Sequence, residues 1–430
     1  MKFDYGKEGI NINIESYKNV DIFYPEKQIP IENPIECIRN AIQKPINSKS
    51  LKNIVKAKIT SKEKKICIVV SDATRPVPSN LILKALILEL EEYGIYKEQI
   101  IILIATGLHR KSREDELKRI IGKDLYNNLK IIDHDAKDDR NLINLGIASD
   151  GTPILINKIY YKSAVKILTG YVEPHFFFGF SGGRKSIVPG IVGAKTIQIN
   201  HSAKNINSKF SRFGIYEKNP LHKNALEISQ RVGVDFIINV CINENHEITK
   251  VAAGDLITAH KMLVEYQLKK IFRKIEKPYD IVLCGNGGYP LDLNLYQAVK
   301  SMALGELAVK EGGTIISINE CSDGIGIGQD KFKELIFSGM SPKLIHEKIL
   351  NNEIIVPDQW EIQILCRILM KNEIYVISSL KENEIGNIGL KYAETPEEAI
   401  NKAIKKHGKD YRILVLPNGP NIIPLLESIY

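Results

Sequence analysis

Ile66-Cys67-Ile68-Val69-Val70-Ser71-Asp72-Ala73-Thr74-Arg75-Pro76-Val77-Pro78-Ser79 is the stretch on which the fold reading turns. An unbroken apolar run of mostly β-branched residues predicts a strand buried on both faces, as in a parallel sheet. The run stops at Ser71-Asp72, a Pro-rich turn follows, and Ser79 stands where a helix cap is expected, with Gly94 as the stop. Outward from there the alternation repeats. Ile100–Ile104 predicts the next strand, ending at Ala105-Thr106-Gly107-Leu108-His109, and Ser112 with Asp115 resembles a capping box for the following helix. Leu129–Ile132 is a third strand ending at Asp133-His134-Asp135. Asp150-Gly151 reads as a turn between short strands, and Val165–Leu168 as a further strand ending at Thr169-Gly170. Residues 1–60 show no regular pattern.

Strands alternating with helices at this spacing predict βαβ units and a doubly wound parallel sheet. Asp72, His109, His134 and His175 then all fall just beyond the carboxyl end of a strand, which is the ligand-binding edge of such sheets. The pattern restarts near Lys274–Pro278. Ile281–Cys284 is a strand, Gly285-Asn286-Gly287-Gly288 a Gly-rich loop, Leu293 to Lys310 a helix ended by Gly312-Gly313, and Thr314–Ile318 a strand. Ile374–Ile377 and Ile413–Leu416 follow, with a helix between them opened by Thr395-Pro396-Glu397-Glu398. The expectation is an α/β protein of two domains with mainly parallel, doubly wound sheets. The first spans 1–274 and the second 275–416, with 417–430 a tail returning to the first.

Composition narrows the function. The 430 residues carry 59 Lys and Arg against 51 acidic residues, a net charge of +8. The excess is spread over helices such as Leu268–Lys274 and Asn401–Lys406, with no basic block interleaved with aromatics. That describes a solvated surface with some attraction for anionic substrates, and not a nucleic-acid site. No apolar run approaches the roughly 18 residues of a membrane helix, and Met1–Ile10 has no apolar signal core, so a soluble cytoplasmic protein is expected. The six cysteines are scattered without a Cys-x-x-Cys, and Cys67 and Cys284 lie inside strands as small hydrophobes.

The densest chemical signal is Gly170-Tyr171-Val172-Glu173-Pro174-His175-Phe176-Phe177-Phe178-Gly179-Phe180-Ser181-Gly182-Gly183-Arg184-Lys185-Ser186, followed by Asn200-His201. Glycines at 179, 182 and 183 permit close backbone approach to a ligand. Arg184 stands where a P-loop requires Gly before its Lys, which excludes that motif. Histidines and consecutive phenylalanines make this a site with an apolar wall, in which Lys185 is suited to a covalent link or an ion pair. His201 has no Asp, Glu or Cys at ligand spacing, so a metal there would take its other donors from elsewhere.

With Ser71-Asp72-Ala73-Thr74-Arg75-Pro76, Thr106-Gly107-Leu108-His109, Glu173-Pro174-His175, Ser181-Gly182-Gly183-Arg184-Lys185, Asn200-His201 and Tyr296-Gln297-Ala298-Val299-Lys300, the sequence resembles the nickel-pincer-nucleotide lactate racemases over nearly its whole length. The resemblance implies the cofactor nickel(II) pyridinium-3,5-bisthiocarboxylic acid mononucleotide, joined covalently to Lys185, with His201 as the protein's nickel ligand beside the group's own soft sulfurs. It implies that Asp72, Ala73, Thr74 and Arg75 contact the nucleotide, and that Gln297 and Lys300, with Tyr296 shaping the pocket, contact a 2-hydroxy acid. It assigns proton exchange to His109 and His175, a task suited to imidazole. The reaction implied is interconversion of D- and L-lactate by reversible hydride transfer through pyruvate, which avoids a carbanion beside a carboxylate. The site would lie between the domains, closing over substrate, and separate cofactor-building enzymes would load it. Three other readings stand beside this one: a racemase or epimerase of another 2-hydroxy acid, a non-catalytic nucleotide- or anion-binding protein, and an NAD-dependent oxidoreductase. The last expects Gly-x-Gly-x-x-Gly after the first strand, where Asp72-Ala73-Thr74-Arg75-Pro76 stands instead.

Overall fold

Ile66 to Val70 are fully buried, and so they form the centre of a sheet. The computed structural model describes residues 1–426 and contains two six-stranded sheets, each in its own unit. In the unit of residues 27–205 and 210–269, the order is Ile248–Gly254, Phe236–Ile242, Val165–Tyr171, Ile66–Ser71, Ile100–Ala105, Lys130–Asp133. All neighbours are parallel except the Phe236–Ile242 and Ile248–Gly254 pair, which is antiparallel. Strand order therefore reverses between Ile66–Ser71 and Val165–Tyr171. Helix Ser79–Glu92 covers this sheet with Ile82, Leu83, Leu86 and Leu90, each wholly buried. Side chains of that kind contribute about 1.5–3 kcal/mol each on burial.

The second unit holds residues 1–26, 206–209 and those from Lys270 onward. Its sheet runs Lys391–Tyr392, Glu373–Ile377, Val309–Ile318, Tyr279–Gly285, Ile413–Leu416, Val20–Ile22, all parallel. Helix Pro396–His407 begins as expected, with the Thr395 side chain accepting from Glu398 N and Pro396 in the first turn.

Several details differ from the sequence reading. The first domain does not start at residue 1: Val20–Ile22 pairs with Ile413–Leu416, and a three-residue strand is too short to declare itself by periodicity. Residues expected to be irregular form helices Pro34–Gln43 and Leu51–Lys58, which bury Ile38, Ile42, Leu51 and Val55. The tail contributes one short strand, in the second unit. Ile423–Leu426 pairs with Phe272–Ile275 in the second, and 427–430 fall outside the described residues. Pro78, and not Ser79, stands at the helix cap; Ser79 is buried in the first turn. Ser112 bonds Asp133 instead of capping, and Glu116 accepts from Arg113 N. Gly312-Gly313 lie inside the strand Val309–Ile318 because the helix stops at Glu306. Among the described residues no helix is long and apolar enough to cross a membrane.

Candidate active site

Where the order of a doubly wound sheet reverses, the loops leaving the two strands diverge and open a crevice at their carboxyl ends. Here those loops are Asp72–Pro78, after Ile66–Ser71, and the segment from Val172 to Gly190, after Val165–Tyr171. The reversal thus falls on the two most chemically loaded stretches of the sequence.

Asp72 is buried. Its Oδ1 accepts from Thr74 N at 3.3 Å and Thr74 Oγ1 at 2.7 Å, while its Oδ2 lies 2.6 Å from His109 Nδ1. Burial pushes the Asp72 pKa up, but the His109 bond and charge, the Thr74 hydroxyl and Arg75 outweigh it and hold the group below the ordinary carboxylate range. An ionised carboxylate keeps a proton on His109 Nδ1 and leaves Nε2 as the acceptor. The His109 side chain is half exposed, so Nε2 is accessible. Arg75 is exposed, whereas the Ala73 methyl packs on the apolar core.

His175 sits on a small hairpin, Pro174–His175 paired with Gly179–Phe180. Its Nδ1 accepts from Phe178 N at 3.2 Å and Phe177 N at 3.5 Å. A backbone N–H only donates, so the neutral ring carries its proton on Nε2, opposite to His109. Lys185 occupies the 3₁₀ turn Gly183–Ser186, with Nζ 4.6 Å from the Phe178 ring centroid. The His201 ring lies 6.0 Å from that Phe178 ring and 5.4 Å from Phe177. Lys185 and His201 therefore flank one aromatic wall. Burial above all, with the Lys185 charge, pushes the His201 imidazole down to about 3, which leaves it neutral and fit for a metal at ordinary pH.

In the second unit, Asn294 caps helix Leu295–Glu306, and Lys300 Nζ donates to Gln297 Oε1 at 2.5 Å. Tyr296 is buried edge-on against Phe332, 5.4 Å between centroids, and its phenol bonds Asp358. It shapes this helix from the core side. Sequence reading missed Glu361, a fully buried acid whose pKa is pushed up by burial foremost and by Asp358, against the pull of Lys300.

His134 has the structural role expected of it. It is buried, its Nε2 donates to Val192 O at 3.0 Å, and its Nδ1 accepts from Asn157 Nδ2 at 3.1 Å. His222 and His260, which stand among polar residues in sequence, are both buried, His260 against Arg184 and His222 with its ring 4.0 Å from that of Tyr216. All six cysteines are free thiols.

These residues fit the nucleotide that the resemblance implies. One buried neutral imidazole stands across an aromatic ring from a lysine on a glycine turn, and no cluster of three or more His, Cys, Asp or Glu able to hold a metal occurs among the described residues. A metal at His201 would take its remaining donors from a bound group.

A carboxylate–imidazole pair and a lysine-bearing glycine turn at the switch point of a doubly wound sheet define a small-molecule α/β enzyme. The sequence matches the family described as "Lactate racemase N-terminal domain" over residues 5–214, and "Lactate racemase C-terminal domain" over 275–424. It is 36% identical over 391 residues to the lactate racemase of Thermoanaerobacterium thermosaccharolyticum and 37% identical over 391 residues to that of Lactiplantibacillus plantarum, with 90% of each chain covered in both cases. The solved lactate racemase apoprotein from T. thermosaccharolyticum matches with a TM-score of 0.89 and 34% identity, over 98% of this chain and 99% of that one. A Thermotoga maritima protein shares the fold, with a TM-score of 0.64 and 18% identity over 94% of this chain and 100% of its own. The chain belongs to the lactate racemase family and is an isomerase.

Proposed function

We propose that this enzyme interconverts D- and L-lactate, using a nickel-pincer nucleotide held covalently on Lys185 and ligated by His201. The observation that carries the reading is the Asp72–His109 pair on the same sheet edge from which the Lys185 turn departs. When bound on Lys185 and His201, such a group would supply a reversible acceptor for the substrate's α-hydride.

The chain's own residues do the rest. His109 Nε2 takes the hydroxyl proton as hydride leaves, and the Asp72 carboxylate stabilises the imidazolium that results. His175 serves the opposite face, presenting Nε2. Phe176, Phe177 and Phe178 wall the site with apolar surface and limit water. Arg75 and the Asp72–Thr74 turn receive the nucleotide, with Ala73 contributing only backbone. Lys300, oriented by Gln297, meets the substrate carboxylate or oxygen, and Tyr296 backs their helix. We place the enzyme in the cytoplasm, with loading dependent on separate cofactor-building enzymes.

The test is a chiral product assay over a panel of 2-hydroxy acids, using protein co-produced with those enzymes. Conversion of either lactate enantiomer toward an equal mixture is expected. Conversion of only a larger 2-hydroxy acid would keep the mechanism and replace the substrate. Silence across the panel, with the adduct on Lys185 confirmed by mass, would refute the hydroxy-acid reading.

A further inference from the structure

Arg184, next to Lys185, has no part in the chemistry above, yet it is the largest fully buried side chain among the described residues. Nη1 donates to Ser181 O at 3.3 Å and Gly182 O at 3.2 Å, and Nη2 to Phe180 O at 2.8 Å and Phe178 O at 3.4 Å. The guanidinium is sandwiched by Phe178 and Tyr216, 5.2 and 5.5 Å from the ring centroids. Burial lowers its pKa to about 10, so the charge persists at neutral pH, and no carboxylate among the described residues pairs with it. A buried cation without a counter-ion is expensive, and an apolar residue of similar size would serve packing as well or better. Its placement needs another reason.

The reason lies in the carbonyls it holds. Gly182 O accepts from Arg184 Nη1 and also, at 3.0 Å, from Lys185 N, the bond that closes the Gly183–Ser186 turn. Behind the guanidinium, His260 Nε2 lies 3.0 Å from Nη1 and 2.8 Å from Ser181 O, and His260 Nδ1 lies 2.9 Å from Tyr216 Oη. Gly183 sits flush on that imidazole: a Cβ there would come within 2.8 Å of the ring. The planar fork of an arginine can gather diverging carbonyls in this way, whereas the compact ammonium of a lysine reaches fewer of them at once.

We propose that Arg184, backed by His260 and Tyr216, is a positioning residue for nucleotide attachment: by tying the carbonyls of Phe178, Phe180, Ser181 and Gly182 to one buried centre, it fixes the turn that presents Lys185. The inference rests on the reading of Lys185 as the attachment point.

The test compares Arg184→Met, Arg184→Lys and Tyr216→Phe with the wild type and with Lys185→Ala. Two quantities are read below each variant's melting temperature: the fraction of chain carrying the nucleotide mass after co-production with the loading enzymes, and the rate at which N-hydroxysuccinimidyl acetate modifies Lys185 in the apoprotein. Arg184→Met is expected to lower the adduct fraction at least about 10-fold and to shift the acetylation rate about 3-fold or more in either direction. Arg184→Lys should recover part of the loss, and Tyr216→Phe should cause a smaller change of the same kind. Wild-type values of both quantities in folded Arg184→Met overturn the proposal. Should Arg184→Met not fold, wild-type values in both Arg184→Lys and Tyr216→Phe overturn it equally. A wild-type chain that acquires no adduct overturns instead the attachment reading, and the acetylation rates then show separately whether Arg184 governs Lys185.

Discussion

His109 Nδ1 stands 2.6 Å from Asp72 Oδ2, a contact made between loops that leave adjacent parallel strands, Ile66–Ser71 and Ile100–Ala105. Asp72 also binds Thr74, so the carboxylate is fixed from one side and aims the imidazole from the other. Asp72→Asn keeps the shape but offers an amide, which permits the wrong tautomer. Turnover should fall by about 10²-fold or more while the nucleotide adduct persists. Intact mass and racemisation rate, measured on the same preparation, check this.

On the proposed reading, attachment and proton exchange should separate by mutation. Lys185→Ala should lose the nucleotide mass altogether, whereas His109→Ala should retain it and lose turnover. An adduct that survives Lys185→Ala would remove Lys185 from its assigned role.

Gly179 has a φ of +81°, and a Cβ there would lie 2.1 Å from Ile215 O. Backbone cannot yield as a flexible side chain would. Gly179→Ala should therefore cost about 3 kcal/mol and displace the hairpin partner His175. Thermal unfolding and turnover should both suffer. Unaltered melting would show that the hairpin relaxes freely.

Buried imidazoles set the acid limit of the apoprotein. His201 and His260 are lowered from 6.5 to about 3, and His222 to about 2, in each case by burial foremost. The unfolded chain thus binds more protons below pH 6.5, so this stability is present above 6.5 and is lost as pH falls toward 3. At pH 5.5 each imidazole should forfeit about 1.4 kcal/mol. His222→Gln should remove one proton from the slope of unfolding free energy against pH, measured by urea titration from pH 8 to 5.

Glu361 acts at the other limit. Its raised pKa means the folded state holds a proton that the unfolded chain gives up, so stability is full below the ordinary value of 4.5 and declines as pH rises through the raised one. Glu361→Gln should flatten that decline. Melting curves between pH 6 and 9 that stay parallel for variant and wild type would exclude the assignment.

The parallel sheets were legible because strands buried on both faces, such as Ile66–Val70 and Ile281–Cys284, appear as unbroken apolar runs between loops. Elements held by their partners were not. Val20–Ile22 is a strand only because Ile413–Leu416 offers it an edge, and Ser112 turns from capping because Asp133 competes for it. Nothing near His222 and His260 in sequence announces their burial, because the ring that packs on both, Tyr216, comes from another segment.

By itself the sequence determined that Asp72, His109 and His175 lie at one sheet edge, since strand length and period place the residue that follows a buried run. It also set Lys185 on a glycine-bearing stretch close after three phenylalanines, whereas the packing of His201 on Phe177 and Phe178 is tertiary. Only the tertiary structure decided which nitrogen of each histidine carries the proton, that Asp72 serves His109, and that a buried arginine organises the lysine turn. Those outcomes depend on distances of about 3 Å between atoms far apart in the chain, where hydrogen bonds are made or lost, and local periodicity does not encode them.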